Sequence, residues 1–298
     1  MGICDGRVVV ITGAGRGIGR EHALEFASQG AKLVINDLGA EVDGSGSSDG
    51  PAGQVVDEVR GMGGEAVAND DDVSDWDGAG RLVQSALDAF GGLDVLVNNA
   101  GILRDRMLVN MTIDEWDAVI KVHLKGTFAP ARHAAAYWRD LAKAKGGPVD
   151  ARIITTTSVS GIYGNIGQTN YGAAKAGIAS FTVIAARELG RYGVTVNSIS
   201  PSAYTRMTDA LRDYSEEDKE TRSPKWIAPV STWLVSEESR EITGRVFQAG
   251  NGQFAVAEGW HKGPESRPIL DPRQAGKILT ELAQKARRNA GMNGLDLD

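Results

Sequence analysis

The sequence predicts an α/β fold, a parallel doubly wound sheet with helices on both faces. Three observations predict it. Short β-branched runs alternate with amphipathic stretches from Arg7 to Phe254, and such alternation requires right-handed crossovers between parallel strands. Several runs are almost wholly apolar, such as Val8-Val9-Val10-Ile11 and Val95-Leu96-Val97, as strands are when both sheet faces are covered. A glycine-rich turn, Thr12–Gly19, follows the first run and opens the first amphipathic stretch.

In chain order, strands are expected at Arg7–Thr12, Lys32–Asn36, Glu65–Ala68, Leu93–Asn98, Ala151–Thr157, Thr195–Ile199 and Arg245–Gln248. Helices are expected at Ile18–Gln29, Gln54–Met62, Trp76–Phe90, Ile113–Lys143, Asn170–Tyr192 and Trp226–Ser236. No linker interrupts this run, so residues 1–254 read as one domain. Gly39–Pro51 is rich in Gly, Ser and Asp and reads as a loop. Residues 255–298 form a C-terminal extension, irregular over Gly259–Pro272 and helical over Arg273–Arg288, where Ile278, Leu279 and Leu282 make an apolar stripe.

Composition narrows the function. The chain has 298 residues, 42% hydrophobic and 24% charged, with a formal net charge of −7. Nonspecific nucleic-acid binding needs a basic surface and is disfavoured. Cys4 is the sole cysteine, so no intrachain disulfide forms. The four histidines are scattered, with no zinc spacing, and no metal is expected. No apolar run approaches the roughly 18 residues of a membrane span. With no leader or targeting tripeptide read, a soluble, cytoplasmic protein is expected.

The turn Thr12-Gly13-Ala14-Gly15-Arg16-Gly17-Ile18-Gly19 suits a pyrophosphate. Glycines let the phosphates approach the backbone, and the helix N-terminus offers free N–H groups. Asp37 ends the second strand, eighteen residues after Gly19. A carboxylate there accepts hydrogen bonds from adenosine ribose hydroxyls and repels a 2′-phosphate, favouring NAD over NADP. Arg16 is the opposing signal, and the carboxylate outweighs it. Asp72-Val73 ends the third strand, where an adenine edge would rest. Asn98-Asn99-Ala100-Gly101 closes the fourth, and its small residues suit backbone lying against a cofactor.

Tyr171 and Lys175 are four residues apart, about one helical turn, and share a helix face. A phenol has a reference pKa of roughly 10, and a cation within about 4–6 Å lowers it. Lys175 is therefore expected to make Tyr171 a proton carrier. Ser158 follows the fifth strand and can hold a substrate oxygen. Together these groups point to hydride transfer between a nicotinamide and an alcohol or ketone.

The turn at Thr12–Gly19, Asn98–Gly101, Ser158 and Tyr171–Lys175 together resemble the short-chain dehydrogenase/reductase family. The resemblance covers about Arg7 to Phe254. It implies a Rossmann-like sheet of seven strands, homodimers or homotetramers built through Ile113–Lys143 and Asn170–Tyr192, and contact between Lys175 and the nicotinamide ribose. Within the family, Val34–Gly39, Ala100–Met107, Val122–Gly126 and Ser160–Gly167 are similar to the (3R)-hydroxyacyl-CoA dehydrogenase units of type 2 peroxisomal multifunctional enzymes, also called type 4 17β-hydroxysteroid dehydrogenases. That similarity implies oxidation of 3-hydroxyacyl-CoA thioesters with NAD, in fatty-acid or steroid side-chain degradation. His123 stands where the family's helix asparagine stands. Pro201–Thr205 departs from the family's usual PGxxxT, so the resemblance carries the carboxamide contact over only as a neighbourhood, Ala203–Arg206, with Ala203 and Thr205 as its cofactor-binding candidates.

Tyr204–Ser223, which mixes Leu211 and Tyr214 with many charges, is expected to form a substrate lid. Ile162, Tyr163 and Ile166 are expected to line an apolar pocket fit for an acyl-CoA or a sterol. Three other readings stand beside this one: a 17β-hydroxysteroid dehydrogenase, a 3-oxoacyl-carrier-protein reductase, against which Asp37 argues, and a catalytically silent nucleotide sensor, against which the intact Ser158, Tyr171 and Lys175 argue.

Overall fold

The computed structural model of the chain describes residues 2–45, 50–205 and 214–296. Among the described residues, eight strands form one sheet in the order β3-β2-β1-β4-β5-β6-β7-β8. They are β1 (Val8–Thr12), β2 (Lys32–Asn36), β3 (Glu65–Asn69), β4 (Val95–Asn98), β5 (Ala151–Thr156), β6 (Val194–Ser202), β7 (Val246–Gly250) and β8 (Gln253–Ala257). Seven run parallel; β8 pairs antiparallel with β7, Ala249 opposite Phe254. The doubly wound α/β sheet read from the sequence is present. It has one strand more than expected because the chain turns back at Asn251 and Gly252, both at positive φ, and crosses the expected boundary at residue 254.

Helices α1 (Gly17–Ser28), α2 (Gly50–Gly61) and α9 (Ala228–Leu234) cover one face. Helices α3 (Trp76–Phe90), α5 (Gly126–Lys145) and α7 (Thr169–Leu189) cover the other. The strands divide their side chains between two cores as a pleat requires. Val9 and Ile11 join Phe26, Val55 and Leu234 on the first face. Val8 and Val10 join Leu82, Ala134 and Trp138 on the second. Burial on both faces explains why these strands are apolar without alternation.

The long helix expected over Ile113–Lys143 is interrupted. It divides into α4 (Ile113–Ile120), a wide π turn over Lys121–Lys125, and α5. A Thr112–Glu115 capping box starts α4. The π turn widens the backbone at His123. Pro130 inside α5 removes one amide donor soon afterwards. The remaining helices are α6 (Val159–Ile162), α8 (Glu216–Thr221) and α10 (Pro272–Lys285). No residue of α10 is buried. Among the described residues, no helix is long and apolar enough to cross a membrane.

Between β1 and β4 the strand order reverses direction. A crevice opens there beyond the carboxyl ends of the strands, the usual ligand position in such sheets.

Candidate active site

A groove of about 230 Å³ occupies this crevice. Gly13, Arg16, Gly17 and Ile18 line it from the first turn, Asp37 from the end of β2, Asp72 and Val73 from beyond β3, Asn99, Ala100 and Gly101 from beyond β4, and Thr205 from the far side. Gly15 and Gly19 sit behind the lining. The Gly15 amide donates to Asp37 Oδ2 at 2.8 Å. A Cβ on Gly19 would lie 2.2 Å from the Gly13 carbonyl oxygen and 2.7 Å from the Asn99 amide nitrogen. Only a glycine lets the start of α1 pack this closely on the turn.

Asn99 is a stitch between strands. Its Nδ2 donates to the carbonyls of Thr12 and Gly13, and its backbone amide donates to Thr12 Oγ1. The turn and the end of β4 are thereby held as one surface. Arg16 precedes α1 in extended conformation and supplies no side-chain cap. The uncapped first turn of α1, the close-packed glycines and the Asp37 carboxylate fit a nicotinamide dinucleotide, with the pyrophosphate at the helix N-terminus and the ribose near Asp37.

The sequence reading missed one wall of this groove. Residues 38–45 fold back over it, with Leu38, Ala40, Glu41, Val42 and Gly44 in the lining. Leu103 N donates to the Val42 carbonyl at 3.0 Å, and Arg104 Nε donates to the Asp43 carbonyl at 2.8 Å. The Gly/Ser/Asp composition marked this stretch as a loop. The partners that hold it lie sixty residues away, beyond local pattern. Residues 46–49 of that loop lie outside the described residues.

The reacting end lies where β5, α6, α7 and the π turn meet. Ser158 caps α6, its Oγ accepting the Ser160 amide at 3.1 Å. It also hydrogen-bonds Tyr171. Lys175 is 3% exposed, and its Nζ donates to the Thr156 carbonyl at 2.6 Å. Ser158, Tyr171 and Lys175 thus converge as the spacing predicted.

The electrostatics differ from expectation. Lys175 does not lower Tyr171 here. The ammonium lies over the phenol ring, 5.5 Å from its centroid, and is turned to Thr156. Burial pushes the Tyr171 phenol up to about 12; a Ser158 hydrogen bond opposes this and the Asp105 charge adds to it. Burial pushes Lys175 down to about 7. Each group is driven toward its neutral form because both lose water.

His123 is buried on the π turn, with its ring 5.1 Å from the Tyr171 ring, edge to face. Its Nε2 lies 2.7 Å from the Ile102 carbonyl oxygen and 3.1 Å from the Ile102 amide. Burial first, then the Lys175 charge, lowers its pKa to about 3, against a raising hydrogen bond from Ile102. The imidazole is neutral across the physiological range and clamps the segment after β4. Gly101 makes room for it, since a Cβ there would lie 2.4 Å from His123 Cε1. Its backbone carbonyl accepts the Gly126 amide. The side chain is taken up in holding the Ile102 backbone in this arrangement.

The expected substrate wall is only partly assembled. Ile162 and Tyr163 are half-buried and the Tyr163 hydroxyl accepts from Gln248 Nε2 at 2.9 Å, while Ile166 is 86% exposed. Ala203 packs against the first core rather than lining the groove. The expected lid falls partly outside the described residues, which exclude 206–213 and so Arg206, Leu211 and Arg212. Its flanks meet: the Tyr204 and Tyr214 rings lie 5.0 Å apart, and Tyr204 N donates to the Arg222 carbonyl.

The model of the short chain dehydrogenase family matches residues 7–219. The chain is a short-chain dehydrogenase. A hydroxyacyl-CoA dehydrogenase of Mycobacterium tuberculosis is 47% identical over 251 residues, covering 81% of this chain and 76% of that one. A peroxisomal multifunctional enzyme type 2 of Mus musculus is 44% identical over 248 residues, covering 83% of this chain and 32% of that one. This dehydrogenase thus spans about a third of that multifunctional relative. A crystal structure of a short chain dehydrogenase from Mycobacterium avium matches with a TM-score of 0.87 and 52% identity, over 97% of this chain and 98% of that one. The dehydrogenase is an NAD(P)-dependent oxidoreductase acting on CH–OH groups.

Proposed function

We propose that this dehydrogenase uses NAD to interconvert a (3R)-hydroxyacyl-CoA and the corresponding 3-oxoacyl-CoA. The observation that carries the chemistry is the convergence of Ser158, Tyr171 and Lys175 beside the groove. The acyl-CoA class is supported by the identity to the M. tuberculosis hydroxyacyl-CoA dehydrogenase.

The bound nicotinamide supplies the hydride acceptor in the oxidising direction. Tyr171 takes the hydroxyl proton at its phenol oxygen, or returns it to the oxygen of the ketone during reduction. Ser158 accepts from Ser160 N, so its own hydrogen is free to be donated. It can therefore hold the reacting oxygen or the Tyr171 oxygen. Lys175 sets its Nζ over the face of the Tyr171 ring and donates to the Thr156 carbonyl. His123 holds the backbone of Ile102, which lines the groove. Thr205 lines the groove and is the candidate for contact with the carboxamide, while Ala203 packs against the first core behind it.

The substrate is tested by NADH formation with (3R)-hydroxyacyl-CoAs of several chain lengths, the (3S) enantiomers, 17β-hydroxysteroids and a 3-hydroxyacyl-carrier protein. The largest kcat/KM is expected for a (3R)-hydroxyacyl-CoA. A steroid or carrier-protein substrate that outruns every CoA ester would displace this assignment.

NAD preference rests on Asp37. Its two oxygens accept the amides of Gly15 and Gly39, each at 2.8 Å, which fixes the carboxylate on the groove wall. A 2′-phosphate there would meet this anion. Asp37→Ala is expected to lower the NAD-over-NADP ratio of kcat/KM by roughly ten- to a hundredfold. An unchanged ratio would remove Asp37 from the role.

We also place this protein among homo-oligomers. Phe128, Val183 and Ile184 leave large apolar side chains exposed on α5 and α7, which supports a subunit interface across these helices.

A further inference from the structure

A crevice at the switch point of a doubly wound sheet is walled by the turns at its strand ends. Here residues 38–45 add a second wall. Leu38, Ala40 and Val42 bring aliphatic side chains into the groove lining, joined by Val73, Ile102 and Val122 from the body of the fold. Arg16 and Asp37 share this lining, whereas Ser158, Tyr171 and Lys175 do not. The added wall therefore belongs to the Asp37 end of the site and not to the reacting end. Leu38 is 38% exposed at the groove, so a flat ring laid against it would remove apolar surface from water.

The wall is closed on itself and pinned to the body. Its base is fixed where Gly39 N donates to Asp37 Oδ1 at 2.8 Å. A turn closes its tip: Glu41 N donates to the Ser45 carbonyl at 2.8 Å and Gly44 N to the Glu41 carbonyl at 2.9 Å. Gly44 has a φ of 85° and rests on Ile102, since a Cβ there would lie 3.0 Å from Ile102 Cδ1. Two hydrogen bonds from the segment after β4 then hold the wall. Leu103 N donates to the Val42 carbonyl at 3.0 Å, and Arg104 Nε to the Asp43 carbonyl at 2.8 Å.

Of that pair, the Arg104 bond alone is made by a side chain. The Arg104 backbone is itself anchored: its carbonyl accepts Asn170 Nδ2 at 2.9 Å, and Asn170 is fully buried at the start of α7. The next two residues are committed elsewhere. Asp105 Oδ2 accepts from Gln168 Nε2 at 2.7 Å, and Arg106 pairs with Glu115 at 2.7 Å. The wall thus hangs from the frame that carries Tyr171, through one guanidinium.

We propose that residues 38–45 form an adenosine-binding wall and that Arg104, through its bond to the Asp43 carbonyl, is the positioning residue that holds this wall against the base. The proposal rests on a dinucleotide lying with its ribose near Asp37, and not on the identity of the alcohol. Adenine is flat with apolar faces, which aliphatic side chains on wall and body shield from water. A wall already in place spares the dinucleotide the entropy of ordering a loop.

Binding to the cofactor-free protein tests this, with NADH followed by fluorescence and ADP-ribose, which lacks the nicotinamide, by calorimetry. Arg104→Met keeps the length of the side chain and loses the donor. It is expected to weaken NADH and ADP-ribose alike by roughly tenfold. Gly44→Ala, strained at its φ and pressed on Ile102, is expected to weaken both in the same way. The melting temperature of the cofactor-free protein is expected to hold in Arg104→Met, as for other surface substitutions. Affinity lost for NADH but not for ADP-ribose would put the effect at the nicotinamide end. That result, unchanged affinity for both, or affinity lost only together with a fall in melting temperature overturns the proposal. A crystal structure of the wild-type NADH complex needs no variant: adenine is expected against Leu38 and Val42, and a ring out of contact with both overturns the proposal. No turnover enters these measurements, so their failure is separate from failure of the acyl-CoA assignment.

Discussion

Replacing Tyr171 by Phe is expected to reduce turnover by roughly a thousandfold or more while leaving NADH binding nearly unchanged. The ring is retained, so its edge contact with His123 and its place over Lys175 are kept. Only the hydroxyl that bonds Ser158 is lost. The groove that fits the dinucleotide is lined by other residues. Fluorescence titration with NADH, paired with steady-state rates in both directions, separates the two effects. Residual activity within tenfold of wild type would remove Tyr171 from proton transfer. The wild-type pH dependence carries a sign. With the phenol pushed up to about 12 in the free protein, its basic form is scarce at neutral pH. Oxidation is therefore expected to accelerate as pH rises, whereas reduction, which uses the phenol, gains nothing from it.

Much of this is legible in the sequence. The apolar runs gave the strands because both sheet faces are covered, and the glycine turn, Asp37 and the Tyr171–Lys175 spacing are local patterns with local causes. What escaped was non-local. The wall formed by residues 38–45 depends on pairing with Leu103 and Arg104. The Asp105–Gln168 link joins residues 63 apart. The break in the long helix had one visible signal, Pro130, and one invisible one, the π turn around His123. The ionisation of Tyr171 was misread for a related reason. Spacing along a helix places two side chains on one face, but it gives neither their depth nor the carbonyl that claims the ammonium. Burial proved the larger influence on both groups.

That depth makes Lys175 a stability liability retained for function, and Lys175→Met should expose both sides of the trade. In the folded protein Lys175 titrates at about 7, against 10.5 for the ordinary group. Below the folded value both states are charged and the full cost of burial is present. Between about 7 and 10.5 the unfolded chain holds a proton that the folded chain lacks, so stability rises with pH; above 10.5 the cost is gone. At neutral pH the shift corresponds to about 4 kcal/mol. Losing the Nζ–Thr156 hydrogen bond returns roughly 1–3 kcal/mol of that. Methionine fills a similar volume without a charge. The variant is therefore expected to be more stable than wild type at neutral pH by about 2 kcal/mol, which raises Tm by roughly 5 °C. The advantage should shrink toward zero as the pH approaches 10.5. Turnover should fall by about a thousandfold, because the Tyr171 ring loses the only cation facing it among the described residues. Thermal unfolding of the cofactor-free protein across this pH range, with rates measured on the same preparations, checks both halves. A variant less stable than wild type at neutral pH would show that the lysine is a structural support, and that its ammonium is better accommodated by Thr156 than burial alone allows.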